Sequence, residues 1–356
     1  MATLRQYPPA LCFSSDITDI IFGTNDESGI LQLDIVHGTE RETLLEETMY
    51  PSVDGSIAIS DLSSLVEPYA RQYLQIQMEC KFTDASGSAS ISPVIVLYSM
   101  ADVGMEPSAA GWFVENHFLT ILDGEKITAR GREERLYAYG ADTVTVIADV
   151  QLATGQFNTL SAELTPFERV NGTNIYSYDV SPENVASLIG LVGGRLLGYW
   201  AEAGSRRQRF RCVVDQVPPA PSLCFVNSFG CYELLHCVGT HKKESKYERR
   251  TARVMGRLRN YRITEDRQFT ANTGWLNEAM ADWADDLFRS EKVMLWVGDG
   301  PGRDVVISNS KSEITNEDDH LPAFEFTYVY AQRIHNVLEP TRAGRIFDST
   351  FDHTFN

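Results

Sequence analysis

The sequence predicts a mainly β protein: two tandem, duplicated β-sandwich modules followed by an α+β module and a C-terminal arm. Three observations carry this. A pattern of short apolar segments occurs twice, the second copy roughly 120 residues after the first. Pro218, Pro219 and Pro221 then close the second copy, because they cannot continue a hydrogen-bonded ladder and they stiffen the connection. Beyond them the periodicity changes: Leu276, Ala279, Met280, Trp283, Leu287 and Phe288 recur at helical spacing.

The first module is expected over residues 1–103. It contains an apolar segment at 30–36, a Leu44/Leu45/Met49 segment, and Asp54-Gly55, which between two apolar stretches marks a hairpin. Ile57-Ala58-Ile59 follows, then helix limited to a turn or two around 61–66. Residues 75–82 alternate polar and apolar, the signature of a half-buried strand, and a Gly/Ser turn leads to a last strand over 91–98. The small residues of 100–111 read as a linker.

The second module, 112–216, repeats the order: Val144 to Ile147 in one strand, a segment over 160–167, the Asn171-Gly172 turn, Tyr176-Ser177-Tyr178, a short helix, and strands over 195–203 and 207–214. The alignment sets Ile57/Ile59 over Tyr176/Tyr178 and Leu65/Val66 over Leu188/Ile189. Ser181, Pro182 and Glu183 supply an N-cap, a first-turn proline and an acidic first turn, and Gly193-Gly194 ends the helix. The third module, 222–337, holds strands over 223–226, 250–263, 292–297, 305–308 and 323–331, with the helix capped by Asn272 or Thr273. The arm, 338–356, carries Ile346, Phe347, Phe351 and Phe355 and is expected to dock on a neighbour.

The formal net charge is −18, which argues against general nucleic-acid or anionic-membrane binding. The charge is unevenly spread. Residues 240–268 hold ten Lys/Arg against four Asp/Glu, leaving the rest of the chain at −24. Such a dipole suits subunits that stack in a preferred orientation. Arg249, Arg250, Arg253, Arg257, Arg259 and Arg262 are candidates for facing an acidic neighbour. Read as one strand, the alternation puts Arg253, Arg257 and Arg259 on an outward face opposite Val254 and Leu258.

No apolar run reaches the ~18 residues of a membrane span, and the N-terminal thirteen residues lack the basic start and apolar core of a secretion signal. Six scattered cysteines fit buried thiols better than a disulfide framework. Cys231, His236, Cys237 and His241 have the wrong spacing for zinc, and strand alternation separates them, so they read as core cysteines and a surface histidine. Glu317-Asp318-Asp319-His320 lacks the pattern of a calcium loop. Gly298-Asp299-Gly300-Pro301-Gly302 lies between strands and reads as a hairpin turn. Glu46/Glu47 and Glu133/Glu134 are adjacent carboxylates that a strand would face apart. Trp112, Tyr199 and Trp200 could form a sugar platform, although core packing is the commoner fate of such residues. No catalytic residue, cofactor site or metal site emerges.

The third module carries a further pattern: Cys224-Phe225-Val226-Asn227-Ser228-Phe229-Gly230-Cys231-Tyr232-Glu233, then an Arg-rich strand. Phe269-Thr270-Ala271-Asn272-Thr273-Gly274, the helix through Trp283 and Leu287, Ser290-Glu291-Lys292-Val293 and Phe324-Glu325-Phe326 follow. Over about the last 130 residues the chain resembles a family of structural proteins of tailed phages and prophages of gut Bacteroidetes, whose genes lie among tail and virion genes. These are packing and turn motifs, so no active-site residue is carried over. The resemblance implies a non-enzymatic virion component of the tail or tail tip, forming a homo-oligomeric ring or collar and assembled in the host bacterial cytoplasm. Its partners would be copies of itself and other virion proteins, with no membrane and no sequence-specific nucleic acid. The alternative is a carbohydrate-binding or adhesion module contacting host surface glycans.

Overall fold

The computed structural model describes residues 1–101, 103, 109–140, 142–214, 221–297, 300–310 and 321–332. In the first module the chain forms β1 (Thr3–Gln6), β2 (Leu11–Phe13), β3 (Ile20–Gly23), β4 (Gly29–His37), β5 (Glu40–Met49), β6 (Ser56–Ile59), helix α1 (Leu62–Tyr73), β7 (Gln75–Asp84), β8 (Gly87–Ser90) and β9 (Val94–Leu97). The main sheet runs β2-β9-β7-β4-β5, and a small sheet runs β1-β3-β6. In β7 the alternation places Ile76, Met78, Cys80 and Phe82 in the core. Each such fully buried apolar side chain contributes about 1.5–3 kcal/mol.

The second module begins with helix α2 (Ala109–Asn116) and continues through β10 (Glu125–Ala129), β11 (Arg135–Tyr139), β12 (Val144–Gln151), β13 (Phe157–Leu164), β14 (Glu168–Arg169), β15 (Ile175–Asp179), α3 (Pro182–Leu188), β16 (Arg195–Ala203) and β17 (Arg206–Val213). Its main sheet runs β10-β17-β16-β12-β13. Strand for strand this is the order of the first module, including the one parallel pair, β2 with β9 and β10 with β17. The antiparallel pair β3-β6 corresponds to β11-β15, and α1 and α3 occupy the same place in the connection. Ile57/Ile59 and Tyr176/Tyr178 therefore lie on corresponding strands. The copies differ at the edge of the small sheet, where β1 adds beside β3 but β14 adds beside β15.

Four local expectations are corrected. Asp54-Gly55 makes a tight turn, with Gly55 at φ 76°, but not a hairpin: β5 pairs with β4 and β6 with β3, so the turn carries the chain between sheets. Helix α1 runs on to Tyr73 through Pro68, because Leu62, Val66 and Ala70 form one buried stripe that overrides the proline. Within the expected linker, Ala109 to Gly111 begin a helix whose Ala110 and Val114 are buried. Ser181 stands at the N-cap of α3, yet its hydroxyl serves Glu134 N and Asp179 instead of the helix, and α3 ends at Leu188, before Gly190 rather than at Gly193.

The third module comprises β18 (Ser222–Val226), β19 (Tyr232–His236), β20 (His241–Val254), β21 (Arg257–Asn272), α4 (Glu278–Arg289), β22 (Val293–Val297), β23 (Gly300–Ser310) and β24 (Glu325–Tyr330). They form one seven-stranded sheet, β19-β18-β22-β23-β24-β21-β20, with α4 packed on one face. The cap of α4 is Asn277, not Asn272 or Thr273; its side chain accepts from Met280 N at 2.8 Å. Met280, Trp283, Ala284 and Leu287 are buried beneath the helix.

All three modules share a core. Phe13 from β2, Phe113 from α2 and Phe229 from the β18–β19 turn sit with ring centroids 5.1–5.7 Å apart. Polar ties surround them: Asn227 Nδ2 donates to Leu119 O at 2.8 Å, Met100 N to Ser228 O at 2.7 Å, and Asn174 N to Gln75 Oε1 at 2.7 Å. Phe229→Ala is expected to lower the free energy of unfolding by roughly 3–5 kcal/mol in urea denaturation, the cost of a large cavity where three modules meet. A loss below ~1 kcal/mol would show that the modules are energetically independent.

Candidate assembly surface

The Arg-rich segment is not one strand. Met255 and Gly256 both take positive φ, 50° and 78°, and turn the chain back on itself, so β20 and β21 form a long hairpin. Only the base of β21, residues 269–272, bonds to β24. Beyond it, residues 257–268 pair, among the described residues, with β20 alone and make a two-stranded ribbon roughly 40 Å long. A glycine inside a strand pattern was the available signal for this turn.

The turn resets the alternation. Cross-strand partners share a face, and Val254 opposes Arg257 while Arg253 opposes Leu258. Arg253 therefore lies on the face opposite Arg257 and Arg259, correcting the expected common face. One face carries Arg250, Arg257, Arg259 and Arg262; a bulge at Arg250/Thr251 keeps Arg250 directly opposite Arg262. The other carries Arg249 and Arg253 among Tyr247, Leu258 and Ile263. This second face continues the core side of the sheet: Ala271 is 0% exposed and Phe269 5%, but Ile263 is 55% and Leu258 69%. Arg249 stacks over the Tyr247 ring at 5.2 Å. Phe347, Phe351 and Phe355 lie outside the described residues.

Two long strands end their sheets with no neighbour among the described residues. β20 carries Lys242, Lys243, Lys246, Arg249, Arg250 and Arg253 against Glu244 and Glu248. β5 carries Glu40, Glu42, Glu46 and Glu47 against Arg41, and all five are exposed. Arg41 is already held by Asp34 at 2.9 Å and Glu79 at 2.8 Å.

Between the second and third modules lies a buried ionic junction. Lys126 Nζ is 2.7 Å from Glu134, donates to Leu234 O at 3.1 Å and sits 4.3 Å from the centre of the Trp283 ring. The Trp283 indole N–H donates to Glu233. His236 is buried here, not on the surface; its Nε2 donates to Glu133 O at 3.0 Å and its Nδ1 accepts from Ser222 Oγ at 2.7 Å. His241 bonds the Tyr328 hydroxyl. Burial raises the thiols of Cys12, Cys80, Cys212, Cys224 and Cys237 to about 12 and pushes that of Cys231 well above its ordinary value, so none is a ready nucleophile. No metal-binding group of His, Cys, Asp or Glu occurs among the described residues.

A cleft of about 780 Å³ opens where the modules meet, but its cations are committed within the chain. Arg71 pairs with Glu291, Arg289 with Asp285 and Asp286, Arg169 with Thr173 O, and Lys292 with the Tyr232 hydroxyl. Trp112, Tyr199 and Trp200 do not make a common platform: Trp112 is exposed on α2, Tyr199 is buried, and Trp200 is flanked by Arg207 and Arg209. The Glu317 cluster and residues 298–299 lie outside the described residues, while Val297 opposite Gly300 fits the expected hairpin there.

No family model matches the chain, and no curated protein matches it. Similar solved structures include the insect immune protein hemolin, with 13% identity, 78% of this chain and 73% of that chain covered, and a TM-score of 0.19. A Bacteroides ovatus mixed-linkage glucan utilization locus SGBP-B in complex with a heptasaccharide gives 12%, 78% and 67%, and 0.18. A chicken T-cell receptor (TCR) gives 12%, 60% and 90%, and 0.15. At these TM-scores none carries an argument about function.

The junction has a pH consequence. Desolvation lowers the His236 imidazole from 6.5 to about 4, against the opposing pull of Glu134. As pH falls through 6.5 the unfolded chain takes up a proton that the folded ring resists until about 4. Stability is full above 6.5 and declines over that window by about 2–3 kcal/mol. The melting temperature should fall from pH 7 to 4 less steeply in His236→Gln than in the parent; equal slopes would assign the decline elsewhere.

Proposed function

We propose that this chain is a non-enzymatic structural component of a phage virion, of the tail or tail tip, that assembles into a homo-oligomeric ring or collar. The observation that carries this reading is the β20–β21 hairpin. Among the described residues the ribbon has no third strand and no covering helix, and a two-stranded ribbon of that kind is at best marginally stable in water. This one also presents Tyr247, Leu258 and Ile263 to solvent on one face and four arginines on the other. A fold that packs three modules around a shared core and then extends such a ribbon is built to have it covered by a partner. Compositional polarity supports the same reading, because a basic arm on an acidic body orients subunits as they approach. The resemblance of the last 130 residues to virion proteins supplies the setting.

Two measurements test it. Electron microscopy of the concentrated chain in low salt should show rings or short stacks that shrink as salt is raised, since exposed charges are screened. A monodisperse monomer under every condition counts against the proposal. Trypsin should first nick the free subunit between Arg249 and Arg262, and assembly should protect those bonds; cleavage at equal rates in both states would show that the hairpin is not covered.

A further inference from the structure

Deepening the assembly reading, and resting on it, we propose that the contact between copies is a β-sheet junction: the basic edge strand β20 of one copy pairs along the acidic edge strand β5 of the next. Edge strands leave a row of backbone N–H and C=O groups unpaired, and proteins blunt them with charge to prevent indiscriminate pairing. Here the charges have opposite sign. Six cations against two anions make β20 repel another β20, and four carboxylates against one committed arginine make β5 repel another β5. The combination that brings unlike charges together is β20 on β5, so like-charge repulsion excludes the wrong pairings while attraction selects the right one.

Length agrees with charge. β5 is a ten-residue strand and β20 a fourteen-residue one, both exposed along most of their course. The corresponding edge of the second module, β13, carries Glu163 as its single acidic residue and lacks the complementarity. The β20–β21 ribbon extends past the last β21–β24 bonds, so β20 can reach a neighbour without unfolding anything. Strand addition supplies backbone hydrogen bonds, and the side chains set the specificity. Because β5 and β20 are different surfaces of one chain, the contact is head-to-tail. Such contacts close into a ring when the rotation between copies closes, and continue as a filament when it does not.

The test uses two triple variants of the full chain. In one, Arg249→Glu, Arg250→Glu and Arg253→Glu make β20 acidic. In the other, Glu40→Lys, Glu46→Lys and Glu47→Lys make β5 basic. All six side chains are exposed, and circular dichroism checks that each variant folds. By sedimentation velocity in low salt, the parent should assemble and each variant alone should associate more weakly by roughly tenfold or more. A one-to-one mixture should assemble again, because each variant's β20 now complements the other's β5. Should reversal on β20 prevent folding, alanine at the same three arginines must still weaken assembly. Variants that assemble like the parent, or a mixture that fails to restore assembly, overturn the β20–β5 junction and leave the assembly reading standing. A parent chain that stays monomeric overturns both.

Discussion

The cluster of the Phe13, Phe113 and Phe229 rings is the contact on which the rest of the molecule depends. Each ring comes from a different part of the chain and packs against the other two. With Phe229 and Cys231 counted in the same core as Phe13, Ile76 and Val96, the modules cannot behave as beads on a string. Helix α2, which supplies Phe113, is tied to the second module: Arg206 donates to Val114 O at 2.6 Å and reaches Tyr139 O and Asp142.

The junction of Lys126, Glu134 and His236 acts differently. Its desolvated charges contribute little net stability, because removing them from water costs nearly what their attraction returns. What they impose is register. A lysine that must meet a carboxylate, a carbonyl and an indole face at once fixes how the second module sits against the third.

Much of this fold was legible in the chain. The duplication, the burial pattern of β7 and the apolar face of α4 are periodic signals, and periodicity survives into structure because burial enforces it. The errors fell where one residue carried two meanings. The sequence suggests only a turn or two of helix around 61–66, but the buried stripe of Leu62, Val66 and Ala70 carries α1 on to Tyr73. Asp54-Gly55 reads as a hairpin, yet nothing local reveals that its two flanking strands belong to different sheets. For the candidate surface, the basic composition was legible, but Gly256 within the strand pattern was read through and not as a turn, so the arginines were found while their faces were misassigned. The acidic edge of β5 could not be recognised as an edge at all, since being last in a sheet is a property of topology, not of sequence.

One small difference between the copies bears on how the chain folds. In the second module β17 runs unbroken along β16. In the first, the equivalent strand is split into β8 and β9, with one extra residue accommodated around Ile91, Ser92 and Pro93. Tandem repeats risk exchanging equivalent strands while they fold. Here a swapped strand would meet the wrong bond pattern: β9 laid on β16 would be too short, and β17 laid on β7 would span a gap shaped for a proline. The interruption makes the two otherwise similar halves non-equivalent at this strand.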